Sequence, residues 1–202
     1  QTGDLISIGS VGVNVTNSVS LIGNVERPGE YEWKRGIRIR DLIKEKDDLL
    51  DNSDLNYGLV RRKNEDGTVK VLSFSPREVL HGSNLLANLI LEERDALFIF
   101  PRDQSRDPLI KGIISDLNQQ KNPGTSPNVV KISGFVRHPG EYPLTENMDL
   151  NDLIIASGGL IDASYTLTAE LTRLGVEQGK YAVVEHMEII DLHRDQNASP
   201  EP

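Results

Sequence analysis

Four histidines, adjacent acidic pairs such as Asp47-Asp48 and Glu92-Glu93, and one tryptophan set in a basic run are the residues of this 202-residue chain whose chemistry could serve a site. Asp47-Asp48 and Glu92-Glu93 offer the carboxyl groups of a general acid and base. Neighbours on an extended strand point to opposite faces, however, and such runs are ordinarily solvated. His81, His138, His186 and His193 lack the tight spacing to one another or to carboxylates that zinc requires, and are expected to be exposed and unligated. With no cysteine, the chain has no thiolate metal site, disulfide or cysteine nucleophile. No catalytic, cofactor-binding or metal residue is therefore assigned. Tyr31, Trp33, Tyr142 and Tyr165 could stack on sugar rings, but the tyrosines at 31 and 142 suit core packing better. The run Lys34-Arg35-Gly36-Ile37-Arg38-Ile39-Arg40 either holds an acidic saccharide or is a solvated edge that discourages strand pairing. Trp33, Arg35 and Arg38 are the candidate carbohydrate contacts.

Whatever positions these residues is built twice. Leu21-Ile22-Gly23-Asn24-Val25-Glu26-Arg27-Pro28-Gly29-Glu30-Tyr31 returns as Ile132-Ser133-Gly134-Phe135-Val136-Arg137-His138-Pro139-Gly140-Glu141-Tyr142, a shift of 139 − 28 = 111. The register continues without a gap through Asp41/Asp152, Leu49/Leu160, Ser53/Ser164 and Arg62/Arg173. A shift this long exceeds a solenoid repeat of roughly 20–50 residues, so each copy is expected to be a small domain with its own core. Gly3-Asp4-Leu5-Ile6-Ser7-Ile8 echoes Arg94-Asp95-Ala96-Leu97-Phe98-Ile99 at 95 − 4 = 91, which reads as the tail of an earlier unit and the chain as a piece of a longer protein.

Within each copy, residues 19–25 read as a strand and Pro28-Gly29 as the centre of a type II turn, with glycine at φ > 0. Residues 30–34 return as a second strand. In the second copy Asp149 caps a helix striped by Leu150, Leu153 and Ile154 that should stop at Gly158-Gly159. In the first, Ile39, Leu42 and Ile43 form the stripe, with Arg38 at the cap and Asp47-Asp48 in place of the glycines. Residues 57–62 and 68–74 alternate around Asn64-Glu65-Asp66-Gly67 as a hairpin, and 96–100 form a last strand. Strand, strand, helix and further strands describe a β-grasp, an α+β fold. Between the copies about 20 residues are added. There Asp107 caps, Pro108 opens and Leu109, Ile110, Ile113, Ile114 and Leu117 stripe an amphipathic helix, followed by a loop over 121–128. The boundaries are 1–17 for the tail of a preceding repeat, 18–102 for the first domain, 103–128 for the linker, 129–193 for the second domain and 194–202 for a polar tail.

The net charge of −9 argues against nucleic acid as a partner, and aromatic content of 5% predicts aliphatic cores. No stretch approaches the roughly 18 apolar residues needed to cross a bilayer.

Gly134-x-Val136-x-x-Pro139-Gly140-x-Tyr142, followed by a short helix ending in Ala156-Ser157-Gly158-Gly159-Leu160, resembles the soluble-ligand-binding β-grasp (SLBB) domain of bacterial polysaccharide export proteins. The likeness extends over about 18–101 and 129–192, with Asp47-Asp48 a departure in the first copy. It implies tandem β-grasp domains of a non-enzymatic, periplasmic part of an outer-membrane protein that exports capsule or exopolysaccharide. The implied partners are the polysaccharide, held weakly, other copies in a ring, and the inner-membrane synthesis or export machinery, with membrane attachment through segments outside this sequence. Two rivals remain. A small-ligand receptor would show an enclosed apolar pocket within one copy. A glycan-cleaving enzyme would show two carboxyl groups facing each other across a cleft at roughly 5–10 Å.

Overall fold

The computed structural model describes residues 17–120 apart from Ser83 and Leu85, residues 128–161, and the main chain of 168–177 and 180–190. The echo at 3–8, the loop at 121–127, Tyr165, the side chains of His186 and His193, and the polar tail lie outside the described residues.

The chain is a mixed α/β structure. Strands β1 (Ser18–Gly23), β2 (Gly29–Glu32), β3 (Ser53–Lys63), β4 (Val69–Phe74) and β5 (Ala96–Pro101) form one sheet in the order β2-β1-β5-β3-β4. β5 runs parallel to β1 and antiparallel to β3, at the centre of the sheet. All six of its residues are buried, as expected of a strand covered on both faces. Its alternation divides the core in two. Leu97 and Ile99 face Val19, Leu21, Ile39, Leu42, Ile43 and Val79, beneath the short helices α1 (Ile39–Leu42) and α2 (Pro76–His81). Ala96, Phe98 and Phe100 face the opposite way, onto α3 (Asp107–Gln119).

The second half holds the hairpin β6 (Val129–Ile132) and β7 (Gly140–Pro143), helix α4 (Leu150–Ala156) and the hairpin β8 (Thr168–Glu177) and β9 (Lys180–Ile190). Its described side chains reach beyond the half itself. Tyr142, Leu153 and Ala156 join Ile110, Ile113, Ile114 and Leu117 of α3 and the far face of the first sheet in one apolar cluster. At ~0.8 kcal/mol per buried methylene, the four buried side chains of α3 make this a strong bond between the halves. Arg106, rather than Asp107, is the residue before the first turn of α3, with Asp107 and Pro108 already helical.

The Pro-Gly pairs do not form the expected type II turns. Gly29 has φ 149 and opens β2 opposite Leu21, while Gly140 opens β7 opposite Ile132 without a positive φ. The bend falls earlier, at Gly23 (φ 100) and Gly134 (φ 97). The reason is Val25 and Val136, which leave their hairpins to bridge Leu49 and Leu160 and so open the connection.

α2 has no counterpart in the sequence-based expectation. Its signal was present: Ser75 Oγ accepts the Glu78 amide at 3.3 Å, and Pro76 occupies the first turn.

Candidate functional site

Of the three candidate carbohydrate contacts, two have side chains committed to main-chain carbonyls. Trp33 is half-buried against the first core and its indole N–H donates to Leu91 O at 2.8 Å. Arg38 Nη1 donates to Asn88 O at 2.6 Å. These two side chains therefore brace the segment before β5, and Arg35 is the member of the set that is exposed. One member of each acidic pair also has structural partners. Glu92 accepts Arg62 Nη1 at 2.6 Å. Asp48 Oδ2 accepts the amides of Lys44 (2.8 Å) and Glu45 (3.2 Å). Against the burial that would raise it, those amides and Arg27 hold the Asp48 carboxyl below its usual range.

Sequence reasoning passed over the most buried charges. Arg62 grips Asp95 through Nε at 3.0 Å and Nη2 at 2.7 Å, and Asp95 is fully buried in the turn that starts β5. Such bidentate, charge-assisted bonding offsets the desolvation of the carboxylate. The only available signal was the recurrence of that aspartate in the 3–8 echo. Arg106 is 2% exposed and pairs with Asp54 while its Nη1 donates to Ala156 O at the end of α4. Its guanidinium lies 5.2 Å from the Tyr57 ring centroid and 5.4 Å from that of Phe100, within cation–π range. Tyr57 stacks on Phe100 at 5.5 Å and meets Tyr142 edge-on at 6.4 Å. Its partners lie about 50 positions away in sequence, so nothing local marked this arginine.

Two clefts flank this junction. One of about 360 Å³ is lined by Asp103, Arg106, Asp107, Arg137, His138 and Tyr142. His138 is half-buried rather than exposed, and its Nε2–H donates to Arg102 O at 2.8 Å. Burial lowers its pKa, against the contribution of that hydrogen bond, and the nearby arginines lower it further. Burial pushes the Tyr142 hydroxyl up to about 12, so it remains a donor, bonded to His138 O at 2.7 Å. The other cleft, about 400 Å³, holds Lys46, Arg77, Arg102 and Arg137 beside Asp51. Both have mixed polar and apolar linings and open between the halves rather than being enclosed within one. Among the described residues no group of three or more histidines and carboxylates could hold a metal.

The two halves repeat the same hydrogen bonds at the spacing of 111. Tyr31 OH donates to Arg27 O (2.6 Å) as Tyr142 OH does to His138 O. Val25 N–H bonds Gly23 O as Val136 N–H bonds Gly134 O, both at 2.9 Å. The Glu26 amide bonds Asp48 O and the Arg137 amide bonds Gly159 O, each at 3.0 Å. Strand registers Val19↔Tyr31 and Val130↔Tyr142 coincide as well.

No curated protein matches the chain. Residues 129–185, which run from β6 into β9, match the SLBB domain, a ligand-binding module common in polysaccharide export proteins.

Proposed function

We propose that the chain is a non-enzymatic module of an outer-membrane polysaccharide export protein, standing in the periplasm as part of the translocon wall. The SLBB match over 129–185 carries this reading. The recurrence of its hairpin and helix hydrogen bonds in the first half extends it to two tandem β-grasp units joined by α3. Such a module works by assembly. It contacts neighbouring copies, the inner-membrane machinery and, weakly, the capsule or exopolysaccharide chain it passes, because tight binding would oppose release. Open clefts lined by charged side chains suit transient polar contact better than capture of an apolar cofactor.

A second reading, a small-ligand receptor, is favoured by one observation: the 360 Å³ cleft beside Arg106, whose buried Nε has no hydrogen-bond partner among the described residues. Deleting the gene in its host and measuring surface polysaccharide separates the two. Loss of surface polysaccharide, restored by the full-length gene, is expected. Unchanged polysaccharide, with micromolar binding of one small molecule to the purified chain, would replace export with reception.

A further inference from the structure

In the cleft of about 400 Å³ the local charge runs against the total. The chain carries −9, yet four cations from four parts of the fold meet here: Lys46 of a 3-10 turn (Lys46–Asp48), Arg77 of α2, Arg102 just after β5 and Arg137 before β7. Of the two acids on the wall, Asp54 is already spent. One of its oxygens accepts the Asn56 amide at 2.8 Å and the other pairs with the buried Arg106. Asp51 alone opposes the four. The cations, by contrast, are exposed and largely uncommitted. Arg77 Nε donates to Asn56 Oδ1 at 3.3 Å, while its terminal nitrogens and Lys46 Nζ have no polar partner among the described residues. Arg102 Nε and Arg137 Nη1 stand 3.5 and 3.6 Å from the carboxylate of Asp103, on the wall of the other cleft. That is too long for a charge-assisted hydrogen bond, so the two guanidiniums converge on one carboxylate without being held by it.

Nor does the fold call for this charge. At the spacing of 111, Glu26 takes the place of Arg137 and Asp47-Asp48 that of Gly158-Gly159, while the same main-chain bond joins Glu26 to Asp48 and Arg137 to Gly159. The first half thus follows the same path with three acids where the second has one arginine and two glycines. Leu55 and Ile155, both half-buried, supply the apolar part of the wall. Aliphatic surface beside convergent guanidiniums matches a sugar ring that bears a carboxylate, which offers an apolar C–H face together with a planar anion. We propose that this cleft binds a carboxylate-bearing sugar unit of an acidic polysaccharide, with the carboxylate on the arginines and the ring against Leu55 and Ile155. A local basic cleft draws an acidic chain to a molecule of the same net sign, and exposed ion pairs keep the hold weak and sensitive to salt. This inference rests on the export reading above and names the class of glycan it serves.

The test is an NMR titration of the purified chain with a tetramer of galacturonic acid and with the same tetramer methyl-esterified at every carboxyl. The acid should bind, with shifts centred on Arg77, Arg102, Arg137 and Gly158-Gly159 and an affinity that falls as salt is raised, and the ester should not. Arg77→Glu combined with Arg102→Glu should weaken binding roughly tenfold, and Asp51→Asn should tighten it about twofold. A gain in affinity cannot come from a chain that failed to fold, so Asp51→Asn keeps the test sound if the double variant is unstable. Arg35→Glu, outside the cleft, should change nothing. Equal binding of acid and ester, binding of neither, or the same loss from Arg35→Glu would overturn the proposal. Inorganic phosphate that displaces the tetramer at equal concentration would make this a general anion site and overturn the saccharide assignment. Failure here with surface polysaccharide still lost on gene deletion removes this glycan class alone. Binding without that loss removes the export reading alone.

Discussion

The ends of α1 and α4 reach one geometry by two chemistries. After α4, Gly158 and Gly159 take φ 83 and 86, and the Gly159 amide returns to Ile154 O at 2.9 Å, the left-handed stop that glycine permits. After α1 there is no glycine. A 3-10 turn over Lys46–Asp48 forms instead, with the Asp48 carboxylate accepting the two amides that the shortened helix leaves open. Both routes deliver the same next step, a backbone bond from Glu26 or Arg137 and a bridge to Leu49 or Leu160. What the repeat preserves is therefore the path of the main chain, and the glycine pair is one of at least two ways to obtain it.

The comparison breaks most severely at Arg106, which supports the end of α4 through Ala156 O and has no analogue at the end of α1 among the described residues. Arg106→Ala leaves Asp54 buried and unpaired, and should cost about 3–5 kcal/mol in denaturant unfolding. Amide exchange should accelerate more in α4 than in α1. Equal acceleration in the two helices would mean that the arginine serves the whole core rather than that one end. The glycine route is sharpened by two substitutions of smaller effect. Gly158→Ala adds to a left-handed backbone a Cβ 2.7 Å from the His138 ring and 3.2 Å from the Arg137 side chain, for a loss of about 1–3 kcal/mol. Gly159→Ala meets open space and should cost about 1 kcal/mol from backbone strain alone. Equal thermal shifts for the pair would show that contact with the Pro-Gly loop is irrelevant.

The smallest effect belongs to the aspartate route. Asp48→Ala removes an acceptor from two amides and should cost about 1 kcal/mol. The folded-state pKa of Asp48 is depressed, so its ionised form stabilises the fold above the ordinary carboxyl value of about 3.9 and this contribution is lost as pH falls through the lower folded value. Urea midpoints of the parent and Asp48→Ala should therefore converge in acid. A constant difference down to the lowest pH would deny the carboxylate its role.

Elements governed by local rules were legible in the sequence. The Asp149 cap with Asp152, the Gly158-Gly159 stop, the hairpin around Asn64-Glu65-Asp66-Gly67 and the stripe of α3 depend on neighbours within a few positions. The turn at Pro28-Gly29 was misread because a distant residue, Leu49, draws Val25 out of the hairpin. Trp33 and Arg38, attractive as exposed contacts, are held by carbonyls 58 and 50 positions away. The partners of Arg106 are as remote, and a charge buried by tertiary packing carries no local mark.

The apolar cluster shared by Phe98, Ile113 and Leu153 has a consequence for how such a chain can be divided. A cut at the repeat boundary would leave the first half with all five strands of its sheet, yet with Tyr57, Leu59, Val71, Phe98 and Phe100 stripped of the helix that covers them. The stretch of sequence that recurs is shorter than the stretch that shares this apolar cluster, and a division that respects only the recurrence would trade an interior for a sticky surface.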